Sequence, residues 1–156
     1  MKITLIRHGI TAANRETRLL FGNEGAPLLP KGIIQAESLR SQLEAQGYNL
    51  TTEPVAVSPM LRTLQTAEHA GFQNTRIEPL LTEIDSGLDA KLVTSMLARR
   101  EVPETVLKKV REMLKTPPPE RIWVTHGFII VALCRLLDQD YDQFIPDFCE
   151  IRTIDI

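Results

Sequence analysis

Short apolar runs alternate along the chain with stretches whose apolar positions recur every three or four residues. The first run, Ile3 to Ile6, has the length of a buried strand and ends in Arg7-His8-Gly9. A stretch without regular pattern, Arg15 to Pro30, carries Gly22, Gly25, Pro27 and Pro30 and reads as a loop. From Lys31 to Gln46 the period is helical, with Ile33, Ala36, Leu39 and Leu43 on one face. Pro30 suits the start of that helix and Gly47 its stop. Pro54 to Val57 predicts a second buried strand, followed by a helix over Met60 to Ala70 that Gly71 ends. Arg76 to Glu78 predicts a short strand, and Pro79 to Asp89 a loop. Two helices are expected next, Ala90 to Arg100 and Pro103 to Lys115, separated by Pro103. Their charged residues, Lys108 and Lys109 among them, alternate in sign and read as solvated faces. Pro117-Pro118-Pro119 is a stiff connector. Arg121 to Thr125 predicts a third buried strand, ending in His126-Gly127 ahead of a strongly apolar helix, Phe128 to Leu137. Cys149 to Ile156 alternates and predicts an edge strand, antiparallel because no further helix intervenes between Leu137 and Cys149.

Strands alternating with helices predict an α/β fold: a three-layer α/β/α sandwich on a mostly parallel sheet with an antiparallel edge strand. At 156 residues the chain is expected to form one domain, 1–156. The net charge of −2 gives no global field for nucleic acid or an anionic membrane, so any anion must be held by local placement. The N-terminal apolar run is broken by Thr4 and followed by Arg7, unlike a signal peptide. No stretch approaches the ~20 apolar residues of a membrane span, so a cytoplasmic protein is expected. Cys134 and Cys149 lie among apolar residues and read as buried reduced thiols. His69 reads as a surface or edge histidine. Zinc spacings, a phosphate loop and a dinucleotide fingerprint are all missing, so neither a metal nor a cofactor is expected.

In an open α/β sheet ligands bind at the carboxyl ends of the strands. Three strands would bring Arg7 and His8, Ser58 and Arg62, and His126 to one such edge, with Thr11 and Asn14 nearby. A phosphoryl group, with a charge of about −1.5 to −2 and three acceptor oxygens, suits this set. Guanidinium forks match its oxygens, and a neutral imidazole can take the group covalently. Protonation of the leaving oxygen needs an acid. Glu83, between Leu81 and Ile84, is the best placed, and Asp85 is its rival.

Together these segments resemble the histidine phosphatase superfamily, also called the phosphoglycerate mutase-like family. Arg7-His8-Gly9-Ile10-Thr11-Ala12-Ala13-Asn14 matches its R-H-G-x-T-x-x-N signature. Phe21-Gly22 with Pro27-Leu28, Gly32, Gln35 and Ala36 resembles the segment that follows. Ser58 to Ala67 resembles S-x-x-x-R-x-x-Q-T-A, Leu81-Thr82-Glu83 resembles L-x-E, and Thr125-His126-Gly127 resembles S/T-H-G. The resemblance implies His8 as the nucleophile and Glu83 as the acid that later activates water. It implies a phosphate pocket of Arg7, Arg62 and His126 with Asn14 contributing, and no cofactor.

Two departures stand out. Ser86-Gly87-Leu88-Asp89-Ala90 replaces the aromatic-glycine-tryptophan-glutamate-glycine stretch of many members, and Phe128 stands where a second glycine is common. The segment between Glu83 and His126, where substrate-covering insertions lie, is brief. A small cap implies an exposed site and argues against a dedicated mutase, which must keep water from its phosphoenzyme. The expected activity is phosphomonoester hydrolysis on a small phosphorylated metabolite. A phosphoprotein (phosphohistidine) phosphatase and a non-catalytic phosphate-binding regulatory module are the alternatives.

Overall fold

A computed structural model describes residues 1–12, 25–83, 95–139 and 141–156. Its centre is a five-stranded sheet: β1 (Lys2–Arg7), β2 (Val55–Val57), β3 (Thr75–Ile77), β4 (Ile122–Thr125) and β5 (Ile151–Asp155), in the order β3-β2-β4-β1-β5. The pairs β1–β4, β2–β4 and β2–β3 are parallel, and β1–β5 is antiparallel. Each helix lies where the periodicity puts it, to within a residue or two: α1 (Pro30–Ala45), α2 (Leu61–Ala70), α3 (Glu104–Lys115) and α4 (Gly127–Leu136). Pro30 opens α1, and Gly71 closes α2 at φ +97°, a left-handed conformation that costs glycine little. Of the helix predicted over Ala90 to Arg100, residues 95–98 are helical and 90–94 lie outside the described residues. So does most of the loop predicted over Arg15 to Pro30.

The central strands are apolar on both faces because helices cover both. Ile3, Leu5, Ala56 and Trp123 pack with Val106, Val110 and Met113 of α3 and Ile129 to Leu133 of α4. Ile6, Val55, Val57, Ile122 and Val124 face the other way, onto Ala36, Leu39 and Leu43 of α1 and Ala67 and Ala70 of α2. This is the expected three-layer sandwich. Among the described residues no helix is long and apolar enough to cross a membrane.

Strand β5 holds an unforeseen feature. Its alternation turns Arg152 inward, leaving it 2% exposed. The guanidinium is satisfied by the Glu150 carboxylate, by the carbonyls of Gln143 and Phe144, and by the Tyr141 ring 4.5 Å away. These contacts tie the 141–150 segment to the sheet.

The register sets the sheet's carboxyl edge. Arg7 is level with Thr125, and Val57 with Val124. Beyond the strands, the His8 amide donates to the Thr125 carbonyl (3.1 Å) and the Ser58 amide to that of Val124 (3.0 Å). The turn after β1 packs directly on the start of α1. A Cβ added to Gly32 would lie 2.4 Å from the Ile10 carbonyl oxygen, and one on Gly9 would lie 2.7 Å from that of Gly32. Because backbone opposes backbone, Gly32→Ala is expected to cost roughly 1–3 kcal/mol in urea unfolding; unchanged stability would show that the contact yields freely.

Candidate active site

Arg7 and His8 occupy the end of β1. The Nδ1 of His8 lies 2.7 Å from the carbonyl oxygen of Gly9, which can only accept, so Nδ1 carries the proton and Nε2 keeps its lone pair. Burial pushes the His8 pKa down to about 3, with Arg62 and Arg7 adding to the shift and the Gly9 hydrogen bond opposing it. The imidazole is therefore neutral at ordinary pH. Arg7 is clamped from the far end of the chain: Nη1 donates to the Pro146 carbonyl at 2.6 Å, and the guanidinium stacks 4.2 Å over the Phe148 ring. Phe148 also lies against His8, with ring centroids 6.0 Å apart.

Helix α2 supplies Arg62 and links it to the same turn. The Thr66 hydroxyl donates to the Arg62 carbonyl (2.7 Å) and accepts from the Gly9 amide (3.0 Å). Gln65 receives the Leu28 amide and Gln35 the Ile10 amide, fastening both ends of the segment that contains Asn14. A Cβ added to Gly25 would sit 3.0 Å from Nη1 of Arg62, so that glycine lies against the guanidinium. Arg62 influences the titration of Arg7, His8, Glu83 and His126 alike, which groups all five side chains. Asn14 and Asp85 lie outside the described residues.

His126 is the residue between β4 and α4 and is fully buried. Its ring meets that of His8 edge-on, centroids 5.3 Å apart. Nε2 of His126 is 2.8 Å from the hydroxyl of Ser58, which in turn receives the Met60 amide at 3.4 Å. Burial, then Arg62, holds the His126 pKa well below its ordinary value.

Glu83 follows a single 3-10 turn, Pro79–Leu81. Although the residue keeps some exposure, its Oε1 is buried, and the Phe128 amide faces the carboxylate. Burial raises its pKa to about 7; Arg62, Arg7 and Lys109 pull the other way but do not prevail. Lys109 corrects the expectation of a solvated face. It is half-buried, and its Nζ donates to the Thr82 carbonyl beside Glu83. Among the described residues, the buried side-chain polar atoms without a partner are Arg7 Nε, Glu83 Oε1 and His126 Nδ1, and all three belong to this site.

Comparisons with known proteins identify the family and the fold. The sequence profile of the histidine phosphatase superfamily (branch 1) matches residues 3–122. The fold is similar to TTHB049 from Thermus thermophilus, with a TM-score of 0.70 and 27% identity, over 99% of this chain and 94% of that one. It is similar to a phosphoglycerate mutase from the same organism, with a TM-score of 0.68 and 28% identity, over 99% and 93% of the two chains. In fold alone it resembles a phosphoserine phosphatase from Entamoeba histolytica in complex with 3-phosphoglyceric acid, with a TM-score of 0.65 and 24% identity, over 97% and 89%. No curated protein sequence matches it. With the profile covering most of its length and its sheet in the mostly parallel order described, this chain belongs to the histidine phosphatase superfamily, whose chemistry is phosphoryl transfer.

Proposed function

We propose that this chain is a metal-independent phosphatase that hydrolyses phosphomonoesters of small metabolites through a phosphohistidine at His8. The observation that carries this reading is the trio of unpartnered buried atoms. Each such atom ordinarily costs about 1–3 kcal/mol. A phosphomonoester would meet all three, its phosphoryl oxygens accepting from Arg7 and His126 and its leaving oxygen facing Glu83.

The steps follow from the protonation states. Nε2 of His8 attacks phosphorus; the N–P bond forms as the P–O bond to the alcohol breaks. The departing oxygen takes the Glu83 proton. Arg7, Arg62 and His126 hold the three phosphoryl oxygens, where charge develops, so the guanidiniums supply the field that a metal supplies in other phosphatases. Asn14, which would complete the pocket, is part of the proposal by its place in the signature. Water then attacks the phosphohistidine, giving its proton to the Glu83 carboxylate, and the N–P bond breaks to release phosphate.

The mutase relative favours a second reading, transfer between two positions of one phosphorylated acid. Incubation with a phosphorylated sugar acid separates the two: hydrolysis releases inorganic phosphate, whereas a mutase yields the positional isomer.

Rapid quench with a phosphorylated substrate is expected to trap an acid-labile phosphohistidine that His8→Ala abolishes; failure to trap it would leave only a phosphate-binding module. Glu83→Gln is expected to lower kcat on an alkyl phosphate by about 10²–10⁴-fold and to spare p-nitrophenyl phosphate, whose leaving group needs no proton. Equal losses on both would remove the acid role. Because the protonated form of Glu83 is the active acid, kcat/KM on the alkyl ester should fall as pH rises past about 7.

Ser58 has a definite part in this scheme. With the Met60 amide on its oxygen, its hydroxyl proton is available to Nε2 of His126, leaving Nδ1–H to donate to the phosphoryl group. Nitrogen-15 NMR should find His126 as the Nδ1–H tautomer, and Ser58→Ala should mix the tautomers and reduce kcat. An Nε2–H ring in the unmodified protein would contradict the assignment.

A further inference from the structure

Three consecutive residues around the acid are each caught by a different element. Oγ1 of Thr125, on β4, donates to the Leu81 carbonyl at 2.7 Å. Nζ of Lys109, on α3, donates to the Thr82 carbonyl. The Phe128 amide, in the first turn of α4, faces the Glu83 carboxylate. Two of these donors are neutral. Lys109 alone among the three brings a charge, and it brings it half-buried, where a charge acts more strongly than on the surface.

We propose that Lys109 is a positioning residue for Glu83: anchored on the Thr82 carbonyl, its ammonium fixes the turn that carries the acid and keeps a positive charge beside the carboxyl through both chemical steps. This rests on Glu83 being the acid and base of the reaction. The charged groups facing Glu83 among the described residues are Arg7 from β1, Arg62 from α2 and Lys109 from α3. A bound phosphoryl group engages the two arginines and offsets their charge. The Lys109 ammonium is held by a backbone carbonyl; burial lowers its pKa, and Glu83 opposes that shift.

The effect has a sign. Burial raises the Glu83 pKa and the cations lower it. Without the Lys109 charge, Glu83 keeps its proton to higher pH. The first step, which needs the acid form, then extends further into alkaline solution. The second step, which needs the carboxylate, slows at neutral pH, and phosphoenzyme accumulates.

The test is the pH dependence of kcat/KM and kcat on phenyl phosphate for the full chain and for Lys109→Gln, Lys109→Met, Lys109→Arg and Glu83→Gln. Thermal unfolding of each variant is followed alongside. Glutamine keeps a donor for Thr82 without the charge. It is expected to move the alkaline limb of kcat/KM upward by about one pH unit and to lower kcat at pH 7 by up to about tenfold. Arginine should restore both, and Lys109→Met, which lacks donor and charge, should move the limb likewise at lower stability. Any limb arising from the second ionisation of the substrate, near pH ~6, stays common to all variants. If Glu83→Gln removes the alkaline limb while Lys109→Gln and Lys109→Met leave it in place, Lys109 merely docks α3 and the proposal fails with the role of Glu83 intact. If the limb persists unaltered in Glu83→Gln, the reading of Glu83 itself falls, and this proposal with it.

Discussion

Two guanidiniums, two imidazoles and a carboxyl are brought out of water beside one another, and the rest of the structure has to tolerate that. Like charges at close range repel, and desolvation raises the cost of each. Arg7 shows how the fold meets it. Burial lowers its pKa, while Glu83, Asp147 and Glu150 raise it. The Pro146 carbonyl takes one N–H, and the Phe148 face takes the guanidinium plane. A guanidinium this far from neutrality stays charged throughout.

The supports come from remote parts of the chain. The segment that clamps Arg7 is itself held by Arg152, buried beneath it on the carbonyls of Gln143 and Phe144. Cys149 adds to this through its backbone, which donates to the carbonyls of Arg7 and His8 from a left-handed φ of 57°. On the other side of the sheet, Thr66 ties the Gly9 amide to the carbonyl of Arg62 with a single hydroxyl. The catalytic edge is therefore bounded by two frames, one from α2 and one from the C-terminal segment, meeting at the end of β1. Displacing either would move a cation relative to His8.

What the sequence revealed, and what it hid, follows from where the determining partners lie. Pro30 and Gly71 act through their own backbone, so the bounds of α1 and α2 were legible locally. The strand ends carrying Arg7, His8 and His126 were legible too, because a parallel sheet aligns its carboxyl ends whatever the intervening helices do. Lys109 was not. Lys108 and Lys109 lie about 100° apart on α3, and which of them turns inward depends on how the helix is rotated against β4 and the Glu83 turn. Arg152 escaped for a related reason: its acceptors are mostly backbone carbonyls of Gln143 and Phe144, which no pattern of side chains advertises. Pro146, which holds Arg7 from 139 residues away, and Phe148 beside it belong to the same class. Asn14 was read both from its place shortly after His8 and from the signature.

The protonation order at this site is the reverse of that in water. A free glutamic acid loses its proton near ~4.3 and a free histidine near ~6.5, so between those values the acid is spent while the nucleophile is still partly protonated. Burial alone separates them in the needed sense, because it penalises the charged form of each: the carboxyl rises to about 7 and the His8 imidazole falls to about 3. The cations act differently, lowering both together. Arg7 and Arg62 therefore keep His8 neutral while opposing protonation of Glu83, and burial is what keeps the Glu83 proton in place near neutrality. A shallower Glu83 would lose that balance to the arginines, and the proposed reaction would lose its acid. The hydrogen bonds that hold Leu81 and Thr82 are for that reason as much a part of the proposed chemistry as the residues proposed to touch phosphorus.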